Sequence, residues 1–173
     1  GFVADVAIRG DRIAAIGKPG GELEGDAAEV IDASGLGVTP GFINMLSWAN
    51  ETLLEDGRSQ SDIRQGVTLE VMGEGWSMGP LNPSMKEEAL AMQSDVRYAI
   101  GWTTLGEYLQ HLEDRGVSTN VASFVGATTL RIHALGYADR APTAAELAQM
   151  ERLVAAAMEE GALGVGSSLI YAP

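Results

Sequence analysis

The chain's 173 residues, 46% hydrophobic with 22 glycines, suffice for a domain with a real core and exclude a disordered segment. A formal charge of −13 opposes binding to phosphate backbones and anionic membranes, so neither nucleic acid nor a membrane surface is an expected partner. Cysteine is absent, which removes disulfides and thiolate metal sites, and no apolar run approaches the roughly 20 residues that span a bilayer.

Residues 1–37 read as short strands. Val3 to Arg9 and Arg12 to Gly17 flank a Gly10-Asp11 turn, which is a hairpin signal, and Lys18-Pro19-Gly20-Gly21 is the loop that follows. A third strand is expected over Glu29-Val30-Ile31-Asp32. A meander of this size cannot bury a core alone, so it is expected to lean on a larger body.

From Leu36 onward strands alternate with helices, the pattern of parallel βα units. An apolar strand is expected from Gly37 to Leu46, and a short helix from Ser59 to Gln65 closed by Gly66. Val67 to Met72 is the next strand and leads into the turn Gly73-Glu74-Gly75. Thr104 and Glu107 form a capping-box pattern ahead of a helix with Leu105, Tyr108, Leu109 and Leu112 on one face and Gly116 past its end. Asn120 to Val125 is a further strand. A second capping box, Thr143 with Glu146, opens the clearest helix, which is expected to bury Leu147, Met150, Val154, Ala157 and Met158 and to stop at Gly161. Ala162 to Ser167 is the fourth strand of the series, running on into Leu169-Ile170-Tyr171-Ala172-Pro173.

Four such strands are half of an eight-stranded parallel barrel, which needs about 250 residues to close. The expectation is therefore a fragment of class α/β: part of a small β-sandwich domain over 1–37, then the first half, about four βα units, of a TIM-type barrel over 38–173. An open doubly wound sheet of four strands is the alternative. Unpaired first and fourth strands would favour self-association or pairing with a missing C-terminal half.

Chemistry-bearing residues gather at the strand ends. Alternate residues of a strand share a face, so Asn44, Leu46 and Trp48 are expected to point together, as a pair of ligands on one metal must. An amide, an isobutyl group and an indole cannot do that work, since zinc takes imidazole, thiolate or carboxylate. Glu74 offers a carboxylate in a glycine-rich turn, which without further context is a solvated turn residue. Gly73, Gly75 and Gly79 miss the spacing of a dinucleotide fingerprint and read as turn glycines. Arg131 is either a clamp for a substrate carboxylate or a loop brace. His133 has no second His or acid at ligand spacing and reads as a loop or packing residue; His111 reads as surface. Ser167 and Ser168 lack a His–acid partner and give no serine-hydrolase signature.

Four segments carry a resemblance. The frame Pro40-Gly41-Phe42-Ile43 resembles the lead-in to the first barrel strand of metal-dependent amidohydrolases, where Asp-x-His-x-His follows; here those positions are Asn44, Leu46 and Trp48. Gln65 to Leu81 resembles the second strand and loop of N-acyl-D-amino-acid deacylases, the D-aminoacylases, which read Gly-Asn-Cys-Gly-x-Ser-x-x-Pro. With one residue removed before it, Glu74 stands at the family's metal-binding Cys, and Gly75, Ser77 and Pro80 fall in register. Asn120 to Gly126 with Thr129-Leu130-Arg131 is similar to the third strand and its loop, with Ala127 where a His is common. Gly161 to Pro173 is similar to the strand-four pattern Gly-Ala-x-Gly-x-Ser-x-x-Leu-x-Tyr-x-Pro.

The resemblance implies a parent that hydrolyses the amide of N-acyl (D-)amino acids or similar small amides with a divalent metal, zinc being the expected one. Its ligands would be Glu74 and two histidines on later strands, with the catalytic Asp there as well, so no catalytic residue is identified within this chain and the isolated chain is expected to be inactive. Tyr171, at the barrel mouth, is a candidate to hydrogen-bond substrate. A non-catalytic amidohydrolase-like binding or scaffold protein, with Leu46 and Trp48 filling the former metal pocket, is the competing expectation. No basic-then-apolar leader opens the chain, and a cytoplasmic location is expected.

Overall fold

The computed structural model describes every residue except 22, 24–26 and 171–173. It divides into two compact units, Gly1–Thr39 and Pro40–Pro173.

In the first unit β1 (Asp5–Arg9) pairs antiparallel with β2 (Arg12–Gly17), as the Gly10-Asp11 turn predicts, with a bulge between Ala7 and Ile8. Asp5 Oδ2 accepts from the Gly20 amide at 2.8 Å and so fastens the loop after β2. The strand expected at Glu29–Asp32 does not form, and Val30 and Ile31 are 83% and 79% exposed. Apolar β-formers do not hold a strand without a neighbour to take up their backbone donors and acceptors, and among the described residues none pairs with this run.

The second unit is mixed α/β. In chain order it contains β3 (Phe42–Asn44), α1 (Thr52–Glu55), α2 (Gln60–Ile63), β4 (Val67–Met72), α3 (Pro83–Met92), α4 (Leu105–Arg115), β5 (Asn120–Ser123), β6 (Val125–Gly126), α5 (Ala127–Leu135), α6 (Ala144–Glu159) and β7 (Val165–Gly166). All of its strand pairs are parallel: β3 with β4, β4 with β5, and β6 with β7. Only Phe124 separates β5 from β6, and its amide still donates to Met72 O at 2.9 Å. Spatial order therefore follows chain order from β3 to β7.

Several expected elements are shorter or different. The strand expected from Gly37 to Leu46 is confined to Phe42–Asn44, because Pro40 has no amide to donate and the Asn44 side chain accepts from Leu46 N at 3.3 Å, turning the chain out of the sheet. The helix expected from Ser59 to Gln65 is a single turn, and the last strand spans two residues. Helix α3 was not anticipated, although Asn82-Pro83 is its signal: Asn82 Oδ1 accepts from the Met85 amide at 3.0 Å and Pro83 occupies the first turn. Helix α5, where a loop was expected, starts without a side-chain cap. Among the described residues no helix is long and apolar enough to cross a membrane.

Both capping boxes form, at Thr104/Glu107 and Thr143/Glu146. Helix α4 buries Leu105, Tyr108 and Leu112 completely or nearly so, and these meet Leu53, Met72 and Trp102 in the core. Trp102 donates from Nε1 to Met78 O at 2.7 Å, and the Tyr108 hydroxyl donates to Asn50 O at 2.8 Å. Burial raises the Tyr108 phenol well above its ordinary range, which keeps it a donor. Helix α6 departs from expectation: Ala157 is buried, but Leu147 and Met158 are 48% and 46% exposed. Its apolar positions exceed what α5 can cover from one side.

The centre of the sheet holds an acid. Glu70, on the same face of β4 as Met72, is fully buried. Three hydroxyls donate to it: Ser47 to Oε2 at 2.6 Å, Ser59 to Oε1 at 2.6 Å and Thr119 to Oε1 at 2.9 Å. Ser47 follows β3 and its amide donates to Val71 O at 2.9 Å; Thr119 immediately precedes β5. Ser59 has φ 45, the one left-handed non-glycine backbone among the described residues, and its bond to Glu70 offsets that strain.

Two predictions follow from these contacts. Glu70→Leu strands three buried hydroxyls at about 1–3 kcal/mol each, so unfolding in urea should show a loss of at least about 3 kcal/mol, with Glu70→Gln losing less; an unchanged midpoint would show that the cage is dispensable. Glu146, hydrogen-bonded first by Arg140 and then by the Thr143 amide and hydroxyl, is held far below its ordinary value of 4.5. Its contribution is present above that value and is lost as pH falls toward the depressed one, so Glu146→Gln should flatten the decline of thermal stability between about pH 5 and pH 2.

Candidate functional site

Beyond β4 the backbone turns through Gly73 at φ 92 and Gly75 at φ 74. A Cβ on Gly73 would collide with the Phe124 carbonyl, and one on Gly166 would collide with the Gly73 carbonyl. Three consecutive strand ends thus approach backbone to backbone, which only glycine permits. The Gly75 carbonyl accepts from the Thr128 and Thr129 amides at 2.9 and 3.4 Å, satisfying donors that the uncapped N-terminus of α5 leaves open. Ser77, buried, donates to Gly79 O at 2.5 Å and accepts from the Gly126 amide at 2.9 Å, while its own amide donates to Thr129 Oγ1 at 2.8 Å. The serine of the family-like Gly-x-Ser pattern is therefore a tie between the turn and α5.

Glu74 stands half-buried in this braced turn, and its Oε1 accepts from Ser168 Oγ at 2.8 Å across 94 residues of sequence. Among the described residues Glu74 makes no ion pair, and Oε2 accepts no hydrogen bond. In the sequence Ser168 stands out only as a hydroxyl without a His–acid partner. The signal that would have found it is position: two residues past β7, it emerges at the same end of the sheet as Glu74, two residues past β4.

The three degenerate positions do not line one strand face. The strand stops at Asn44, whose Nδ2 lies 3.4 Å from Asp62 Oδ1; Leu46 and Trp48 are 52% and 56% exposed, and Ser47 between them is buried against Glu70. Period-two alternation ends where the chain leaves the sheet. Arg131 lies on α5, and its Nη2 donates to the carbonyls of Ala138 and Arg140 at 2.9 and 2.8 Å, bracing the loop after the helix. His133, on the same helix, has its pKa lowered by burial and faces Gln149 Nε2 at 3.4 Å through Nδ1. His111 is exposed with its ring 5.3 Å from that of Trp102. Tyr171 lies outside the described residues.

A metal fits this arrangement only in part. No group of three His, Cys, Asp or Glu side chains that could hold an ion exists among the described residues. Glu74 presents a carboxylate oxygen with no ion pair among the described residues, which suits one ligand position and not a complete donor set.

No family profile matches the chain. It is 37% identical over 175 residues to the D-aminoacylase of Alcaligenes xylosoxydans xylosoxydans, covering 98% of this chain and 34% of that protein. A solved D-aminoacylase, whose binuclear metal centre is described by one-metal activation and second-metal attenuation, superposes with a TM-score of 0.79 at 34% identity, over 98% of this chain and 35% of that one. The N-acyl-D-glutamate deacylase from Bordetella bronchiseptica, solved with zinc and a phosphonate inhibitor that mimics the reaction's tetrahedral intermediate, matches with a TM-score of 0.80 at 34% identity, over 98% and 35%. The chain spans about a third of the length of these relatives. Likeness in sequence along nearly the whole chain, together with likeness in backbone, makes it a member of the D-aminoacylase family of amidohydrolases.

Proposed function

We propose that the whole protein hydrolyses the amide bond of N-acyl-D-amino acids or closely similar small amides, and that this chain forms the first four βα units of its TIM-type barrel. Parallel pairing in chain order supports the barrel, since consecutive strands are neighbours throughout such a fold. The observation that carries the functional reading is Glu74: a carboxylate with no ion pair among the described residues, just past the C-terminal end of a parallel strand, where barrel chemistry sits; the sequence resemblance sets it at the family's metal-binding Cys.

In this reading Glu74 is one ligand of a single divalent metal, zinc being the expected ion, as in the zinc-bound deacylase. A metal so held supplies Lewis-acid polarisation and lowers the pKa of water. The remaining ligands and the catalytic Asp come from outside these residues. Asn44, Leu46 and Trp48 provide no second site, and one-metal activation in a related D-aminoacylase supports an enzyme that works without one. The non-catalytic reading has less support, because it needs Leu46 and Trp48 to fill a pocket, and both are more than half exposed. Tyr171 is the proposed substrate contact. Arg131, committed to two carbonyls, is a loop brace in this reading. β3 and β7, each with one strand neighbour among the described residues, are the edges that pair with the rest of the barrel or with another copy.

Two outcomes test this. The native-length protein should lose its bound metal on Glu74→Ala, and unchanged metal content by elemental analysis would remove Glu74 from the ligand set. Residues 1–173 alone, assayed with zinc or manganese, should not hydrolyse N-acyl-D-amino acids, whereas the native-length protein should; turnover by the isolated chain would overturn the assignment of the catalytic groups to later residues.

A further inference from the structure

The hydrogen bond between Ser168 and Glu74 joins two segments that approach each other closely at neighbouring glycines. A Cβ on Gly75 would lie 3.2 Å from Ser168 Cβ, and a Cβ on Gly166 would lie 3.3 Å from Glu74 Cα. The segment after β7 is therefore packed onto the Glu74 turn by main-chain approach, and the Ser168 hydroxyl reaches Oε1 from a fixed base. That hydroxyl makes no other hydrogen bond among the described residues, and the Glu74 carboxylate takes no other donor there. A glutamate has three side-chain torsions to fix, and a hydrogen bond to one oxygen restricts them while leaving the other oxygen open.

We propose that Ser168 is a positioning residue for Glu74, holding its Oε1 so that Oε2 is presented to a divalent cation. The proposal rests on the reading of Glu74 as a metal ligand. Hydrogen bonds to ligating side chains orient them, and removing such a partner weakens metal affinity by about 10–100-fold. Serine suits the task because its hydroxyl donates to one carboxylate oxygen while adding no charge that would compete with the metal. Among the described residues Ser168 has no imidazole hydrogen-bonded to it, and its proton is directed at Glu74.

The test uses the metal-loaded native-length protein and reads metal release to a chelator, together with the visible spectrum of the cobalt-substituted form. Ser168→Ala should release metal about 10–100 times faster than wild type and alter the cobalt spectrum, while Ser168→Thr, which keeps the hydroxyl, should restore both. Release and spectrum unchanged in Ser168→Ala, with metal lost in Glu74→Ala, would overturn the positioning role and leave the ligand reading intact. Metal retained in Glu74→Ala would remove the ligand reading and the inference with it. Thermal melting of the apo forms separates folding from orientation: equal melting temperatures with faster release support the proposal. A Ser168→Ala defect that Ser168→Thr does not rescue counts against it.

Discussion

Burying Glu70 costs desolvation free energy that only directed hydrogen bonds can offset, and three hydroxyls from three separate segments supply them. Each donor is the point at which a different part of the chain enters the parallel sheet or approaches it. Ser47 fixes the exit from β3, Ser59 the turn ahead of α2, and Thr119 the entry to β5. The acid therefore sets where the strands on either side of β4 begin and end, and a central strand with a polar anchor cannot slip by one residue without tearing all three bonds. The rest of the second unit is arranged around that register, including the helix α4 that covers Met72 through Tyr108.

Four residues further along the chain, Glu74 has the opposite surroundings. Glu70 is enclosed and saturated with donors, whereas Glu74 is half-buried with one donor and one open oxygen. The first acid holds the sheet, and the second keeps one carboxylate oxygen without a hydrogen-bond donor among the described residues. Glu70 lies within β4 and Glu74 in the turn beyond it, where Gly73 and Gly166 let neighbouring strand ends approach closely.

Much of this was legible in the sequence wherever a local rule applied. The Gly10-Asp11 hairpin, the strand Val67–Met72 and the two Thr-x-x-Glu helix starts are all decided by residues within a turn of one another, and they form as expected. What escaped was non-local. Helix α5 lacks a capping side chain because a carbonyl from Gly75 does that work, and no pattern near residue 127 announces an acceptor 52 positions away. Glu70 reads in sequence as an ordinary polar interruption of a strand, since its partners are spread from 47 to 119. The strand-one positions misled for a related reason: alternation was extended through Leu46 and Trp48, but Asn44 bends the chain out of the sheet first. Glu74 is marked by likeness to a family, and Ser168 only by its place two residues past β7.

The spatial order of the strands, which repeats their order in the chain, bears on how such a body is made. Parallel pairing requires the chain to travel out and back between neighbours, a slow closure compared with helix formation. Here each strand needs only the one before it and the helical segment between them, and α4 and α6 carry their own start signals. During synthesis from the N-terminal end, the sheet can therefore grow by accretion, one unit at a time, each new edge waiting for the next strand to leave the ribosome.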